Sequence, residues 1–281
     1  MANSNLSKTR RSYAEELRVA APVRRDPAIV RAFASVPRER FLGPGPWLIR
    51  ADMRNYRTPD SNPWWLYHNV LVSIDARKGI NNGSPSMWAF LFDQLDFKPG
   101  ERVLQVGAGT GYYTAILATL VGLRGRVHAI EFEKHLAARA RANLTAWPQV
   151  KVVCGDASNF DAGEVDVVVV FAGGTHPAPL WLERLAPRGR LLMPLVADDR
   201  GGFMLKAVRR RGGFEAKAVS RCWFVLAKGF RTKNEASDLK KALAPLKGKL
   251  PALRGLHVGR ISSAEKSNAF FIGRDFWLSR R

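Results

Sequence analysis

Only two of the 281 residues are cysteine, Cys154 and Cys222, too few for a disulfide framework or a thiolate zinc site. A reducing cytoplasm is the default setting for such a chain. Both cysteines fall in predicted strands, where they read as small buried side chains. The five histidines show no metal-ligand spacing, so no metal is expected. Long apolar runs are also missing. The longest, such as Val167 to Ala172, have the length of a strand and fall far below the roughly 20 residues of a membrane helix. The opening segment, MANSNLSKTRRSYAEELRVA, is polar and contains no apolar core of a secretory signal. No membrane partner is therefore expected. There is no repeat and no block of Arg and Lys interleaved with aromatics that would mark a nucleic-acid module.

Acidic residues are scarce, 24 against 45 Lys and Arg, which leaves a formal charge of +21. Such a charge permits attraction to nucleic acid, to anionic membrane or to acidic peptides. It is spread along the chain, however, with twelve Lys or Arg against four Asp or Glu in 229–281. A solvated basic surface accounts for it, so a nucleic-acid partner is possible but not favoured. The chain has enough apolar residues, 46%, for a substantial core. Its length suits one main domain with sizeable end pieces. The expected organisation is an N-terminal helical and irregular segment (1–78), a cofactor-binding domain (79–228) and a basic C-terminal extension (229–281).

Short helices are expected at Tyr13–Ala20 and Ile29–Ser35, followed by an irregular Pro- and Trp-rich stretch, GPGPWLIRADMRNYRTPDSNPWWLYH. From Arg102 onward, strand patterns (RVLQV, RVHAIE, VKVVC, DVVVVFA, GRLLMPL) alternate with helical ones (YYTAILATLVG, EKHLAARARANL, APLWLERL). Repeated alternation of this kind predicts an α/β fold with a doubly wound, mostly parallel, Rossmann-like sheet. GGFMLKAVRR and FEAKAVSRCWFVLA predict an antiparallel edge hairpin, and NAFFIGRDFWL a final strand.

After the first of these strands comes QVGAGTGYYTA, in which Gly107, Ala108, Gly109, Thr110 and Gly111 open a helix. Glycines let the backbone approach a ligand, and a helix N-terminus offers unpaired N–H groups. The spacing differs from the Gly-x-Gly-x-x-Gly dinucleotide fingerprint, and no Lys-Ser/Thr follows to make a phosphate loop. Two acids fall at the ends of the next strands. Glu131, about 20 residues on, can accept both hydroxyls of a ribose. Asp156, followed by Ala157, can face an adenine amino group. Open α/β sheets bind ligands at the carboxyl ends of their strands, where all three features lie.

At this point the sequence resembles class I S-adenosylmethionine-dependent methyltransferases over roughly residues 80–200. Within them, SVPRERF (35–41), KPGERVLQVGAGTGYYTAILATLVG and LAPRGRLLMPL resemble segments of the protein-L-isoaspartate O-methyltransferase family, in order and in spacing, which extends the likeness to 35–228. The resemblance implies S-adenosyl-L-methionine as cofactor, held by Gln105, Gly107, Ala108, Gly109, Thr110, Gly111, Glu131, Asp156 and Ala157. Many relatives carry an acid where this chain has Gln105, which keeps an acceptor oxygen and loses the charge. The resemblance also implies a protein or peptide acceptor. The family's Gly-Gln-Thr-Ile-Ser-Gln-Pro aligns with Gly79-Ile80-Asn81-Asn82-Gly83-Ser84-Pro85, so Gly83 occupies the serine position and a hydroxyl returns at Ser84. Asn81, Asn82 and Ser84 are the candidate acceptor-side residues. Ser84 and Pro85 also read as a helix N-cap and an N1 proline.

FAGGTHPAP, after the fourth strand, lacks the Asn/Asp-Pro-Pro-Tyr set of many amino-group methyltransferases and agrees with a carboxylate acceptor. His176 falls at the expected rim, where a histidine is more often a polar loop residue than a catalyst. Trp64, Trp65 and Tyr67 could line a peptide groove, although large aromatics more often pack a core. Two alternatives stay open: an RNA methyltransferase that uses the basic surface, and a cofactor-binding protein that has lost catalysis. The oligomeric state is not legible.

Overall fold

The structure is a computed structural model that describes residues 2–21, 23, 27–51, 54–197 and 201–280. Helices α1 (Ala2–Ala20), α2 (Pro27–Ser35) and α3 (Glu39–Leu42) come first. In α2 the buried residues Ile29, Ala32 and Phe33 recur at the three- and four-residue spacing that puts them on one face. The stretch read as irregular then forms β1 (Leu48–Ala51) and β2 (Arg54–Arg57), joined later by β3 (Leu71–Asp75) and β4 (Ile80–Asn81). Asp52 and Met53, part of that stretch, lie outside the described residues. These four strands make an antiparallel sheet in the order β2-β1-β3-β4. The strands are too short for a legible alternation, which is why sequence alone missed them. Leu42, Trp47, Leu66, Val70 and Val72 form the apolar cluster beside them.

Next come α4 (Pro85–Leu95), β5 (Arg102–Val106), α5 (Tyr112–Val121), β6 (Arg126–Glu131), α6 (Lys134–Asn143), β7 (Val150–Cys154), β8 (Val165–Val170), α7 (Pro179–Arg184) and β9 (Leu185–Val196). The alternation read from sequence thus forms as expected. β8 runs parallel to β5, Val103 opposite Val167 and Val106 opposite Val170, and also parallel to β9. Five of its six residues are buried, as a strand covered on both faces requires. The hairpin of β10 (Gly201–Arg210) and β11 (Gly213–Trp223) also forms.

The chain after Phe230 is more ordered than its sequence suggested. It builds α8 (Lys233–Leu243), β12 (Leu253–Val258), β13 (Ala269–Ile272) and β14 (Phe276–Arg280). NAFFIGRDFWL, read as one strand, is two, because the chain turns at Gly273, whose N–H donates to Phe276 O. β12 pairs with β11 outside the hairpin, at Phe214–Leu256 and Glu215–Gly255. The long sheet therefore runs β13-β14-β12-β11-β10-β9-β8-β5-β6-β7.

Two compact units are distinguished, one of 1–101, 108–129 and 133–153, the other of 102–107, 130–132 and 154–281. Among the described residues no helix is long and apolar enough to cross a membrane.

Candidate functional site

In the unit that contains 102–107, 130–132 and 154–281, three strand ends are drawn together by backbone bonds. Gly107 N–H donates to Ile130 O at 2.8 Å, and Gly155 N–H donates to Glu131 O at 3.0 Å. The start of the glycine turn, the end of β6 and the Gly155–Asp156 turn are thus neighbours. Gln105, two residues before Gly107, is completely buried. Neither its Oε1 nor its Nε2 has a hydrogen-bond partner among the described residues. Buried amides are rarely left this way, and the unmet capacity could take a polar ligand group. Glu131 is 7% exposed. Asp156 commits Oδ1 to the N–H and hydroxyl of Ser158, at 2.9 and 2.8 Å. Ala157 is buried, and its carbonyl accepts from the Trp181 indole at 2.9 Å. The backbone at Gly229 lies against Asp156: a Cβ built there would be 2.5 Å from both carboxylate oxygens.

The rest of the glycine turn belongs to the other unit. Gly107, Gly109 and Gly111 have φ of +85°, +57° and +97°, in the left-handed region as the sequence pattern requires. Ala108 and Thr110 are buried, and the Thr110 carbonyl accepts from the Asn143 amide at 2.9 Å.

In that same unit the loop Asn81–Ser84 is built tightly. Asn81 Oδ1 accepts from Gly83 N at 2.9 Å. Asn82 Oδ1 accepts from Val72 N at 2.9 Å and from Arg38 Nη2 at 3.3 Å, which leaves Asn82 8% exposed. Tyr113, on α5, donates its hydroxyl to Gly83 O at 3.1 Å. Ser84 occupies the N-cap position and Pro85 N1, but the Ser84 hydroxyl makes no capping bond. Asn69 does that work, its Oδ1 accepting from Ser86 N at 3.0 Å. The Ser84 Oγ is left with long approaches, 3.4 Å to Ser86 Oγ and 3.5 Å to Asn69 Oδ1.

The reason for Gly83 is steric. Its φ is +80°, and a Cβ built there would lie 2.6 Å from Trp88 Nε1. Trp88 is fully buried, so a serine cannot be accommodated without moving the indole.

Three residues of consequence escaped the sequence reading. Arg38, in SVPRERF, is fully buried and donates to the carbonyls of Leu66 (2.5 Å), His68 (3.0 Å) and Val70 (2.7 Å) as well as to Asn82. It ties the segment before β3 to the Asn82 loop. Charged residues are ordinarily read as surface, and only the neighbouring Pro and Phe hinted otherwise. Tyr113 read as one more apolar helix position. Glu235 lay in a tail assigned no role, yet it bonds His176 Nδ1 at 2.6 Å. Trp64 is 45% exposed and stands edge-on to Trp65 and His68, whereas Tyr67 is buried.

Comparison with known proteins places the chain in a family. The family model "Protein-L-isoaspartate(D-aspartate) O-methyltransferase (PCMT)" matches residues 13–231. The chain is 40% identical over 152 residues to protein-L-isoaspartate O-methyltransferase 2 of Archaeoglobus fulgidus, covering 52% of this chain and 68% of the relative. It is 31% identical over 216 residues to the Pyrobaculum neutrophilum enzyme, covering 75% and 95%. A solved protein-L-isoaspartate O-methyltransferase superposes with a TM-score of 0.66 at 18% identity, over 95% of this chain and 88% of the other. A Plasmodium falciparum structure of the same description, in complex with S-adenosyl-L-homocysteine, gives 0.62 at 19% identity, over 78% and 98%. At these identities the two structures show the fold alone. With a family model matched over most of its length and a 31% identical relative covered almost end to end, the chain belongs to the protein-L-isoaspartate O-methyltransferase family.

Proposed function

We propose that this chain transfers a methyl group from S-adenosyl-L-methionine to the side-chain carboxylate of an isoaspartyl or related aspartate residue in a protein or peptide. As a member of its family it is an S-adenosylmethionine-dependent protein carboxyl methyltransferase. The observation that carries the proposal is the fully buried Gln105 amide without a protein partner, two residues before the glycine turn at converging strand ends.

In this reading Gln105 bonds the cofactor's amino group, the backbone of Gly107, Ala108, Gly109, Thr110 and Gly111 lines its passage, Glu131 holds the ribose, and Asp156 with Ala157 holds the adenine. The bound cofactor supplies an electrophilic methyl on a sulfonium. A carboxylate acceptor is already ionised at neutral pH and needs no general base. What remains for the chain is to align oxygen, methyl and sulfur. Asn81, Asn82 and Ser84 form the lid and acceptor side. Ser84 has a hydroxyl that capping does not consume, which supports its taking over from the absent serine at Gly83. The unbridged Cys154 and Cys222 support a cytoplasmic setting. The family match favours neither RNA methylation nor cofactor binding without catalysis.

The test is transfer of radiolabelled methyl to an isoaspartyl peptide, with its aspartyl twin as control and base lability of the label scored. Base-labile label on the isoaspartyl peptide alone is expected. Label on neither peptide, in a chain that binds the cofactor, refutes the acceptor. For the cofactor roles, Glu131→Ala should weaken S-adenosylmethionine binding roughly tenfold to a hundredfold, since a hydrogen bond to a charged group contributes about 1.5–3 kcal/mol. An unchanged Kd by calorimetry removes the ribose assignment.

A further inference from the structure

We propose that Glu235 is a positioning residue for methyl transfer, fixing from α8 the loop Gly173–His176 that decides how the acceptor is received. The inference rests on the functional reading above.

The loop begins next to the cofactor turn. Phe171 N–H donates to Val106 O at 2.7 Å, and a Cβ built on Gly107 would lie 3.3 Å from Phe171 Cβ. In the functional reading above the residues after that strand face the acceptor, and here they include Gly173-Gly174, the pair least able to hold a conformation by itself. Backbone bonds tie the glycines to Val225, Ala227, Pro194 and Val196. The side chains that follow are tied to one carboxylate.

Glu235 Oε2 accepts from Thr175 Oγ1 at 2.7 Å, from His176 Nδ1 at 2.6 Å and from Thr232 Oγ1 at 2.9 Å, and its Oε1 accepts from Arg274 N at 3.0 Å. Thr175 is completely buried and Glu235 is 7% exposed. Thr232-Lys233-Asn234-Glu235 has the sequence of a capping box, in which the glutamate would reach back to the threonine N–H. Only half of that box forms. Glu235 N donates to Thr232 Oγ1 at 3.3 Å, whereas Thr232 N donates to Thr175 Oγ1 at 3.0 Å. The carboxylate meets the N-cap through the Thr232 hydroxyl rather than its N–H, and reaches the loop as well. Glu235 also lies beyond the family match, which ends at residue 231.

The bond to His176 has a chemical consequence. A carboxylate only accepts, so Nδ1 carries the proton and Nε2 is the nitrogen left for another group. Among the described residues Nε2 has no partner, and the His176 side chain is 23% exposed. An oriented imidazole on the acceptor-side loop is suited to contact the incoming peptide.

The experiment compares wild type, Glu235→Ala, Glu235→Asp and His176→Ala, measuring kcat and KM for the isoaspartyl peptide and the cofactor Kd by calorimetry. Glu235→Ala and His176→Ala should each lower kcat/KM at least tenfold, mainly through a higher peptide KM, with cofactor Kd within twofold of wild type. Glu235→Asp should recover part of the loss. If Glu235→Ala does not fold, His176→Ala, which leaves the carboxylate its other three donors, carries the test. Peptide kcat/KM within twofold of wild type in folded His176→Ala overturns the proposal, as does an equal loss of cofactor affinity. Wild type that methylates neither peptide overturns the functional reading instead, and this inference with it.

Discussion

Restoring the family serine by Gly83→Ser should damage this protein. The residue has φ of +80°, where an L side chain costs about 1–2 kcal/mol relative to glycine. Its new Cβ would sit 2.6 Å from Trp88 Nε1 and 3.0 Å from Trp88 Cδ1. The indole is backed by Phe92 and Tyr113, with ring centroids 5.6 and 5.7 Å away, so it has little room to retreat. Overpacking of this kind costs a further ~1–3 kcal/mol. The sum, about 2–5 kcal/mol, corresponds to a fall of roughly 5–15 °C in Tm for a chain of this size. Thermal unfolding followed by circular dichroism, with Gly83→Ala alongside, separates the terms: alanine should lose nearly as much, since Cβ and backbone carry the penalty. Methyl transfer to the isoaspartyl peptide should fall as well. A Gly83→Ser protein with wild-type Tm would show that the loop has a second, unstrained conformation, and the steric explanation for the missing serine would fail.

Arg38→Met should destabilise by about 3–5 kcal/mol, because several buried carbonyls lose their donor at about 1–3 kcal/mol each; urea unfolding at constant m measures it, and a change below about 1 kcal/mol contradicts the clamp. Acid should weaken the Glu235 knot. Burial raises this carboxyl, but the bonds from His176, the Arg274 N–H and Thr175 outweigh it and bring it to about 2, from 4.5. A depressed carboxylate contributes stability above the unfolded value, lost as pH falls from 4.5 toward 2, on the order of 3 kcal/mol in all. Glu235→Gln should flatten that part of the stability profile, and an identical slope in both proteins counts against the assignment. Gly229→Ala should reduce cofactor affinity by pushing on Asp156, read by calorimetry; an unchanged Kd would show that the chain there yields freely.

What could be read in advance followed from periodicity. β5 to β9 and their helices bury faces whose spacing is written into the residues, and the glycine turn with Glu131 and Asp156 stands out because those types recur at strand ends. The departure at Gly83 was legible, but its cause was not, since the Trp88 indole comes against Gly83 only once the first turn of α4 has formed. Arg38 was hidden for a related reason: three carbonyls between Leu66 and Val70 converge on it from some thirty residues away. The tail misled differently. Thr232 to Glu235 spells a local cap, and nothing in that spelling says that half of the cap is traded for a long-range bond to Thr175.

The strands beyond the hairpin bear on solubility. β11 spans eleven residues and carries the 62% exposed Trp223. Were β12 removed, the outer backbone of β11 at Phe214 and Glu215 would stand open, and an open strand rim is one onto which another chain's strand can add. β12 bonds it at Phe214 and Glu215, and β14 and β13 continue outward to a four-residue rim. A chain shortened to the family core would keep its glycine turn and strand-end acids and lose the strands that carry the sheet edge outward from β11 to the short β13.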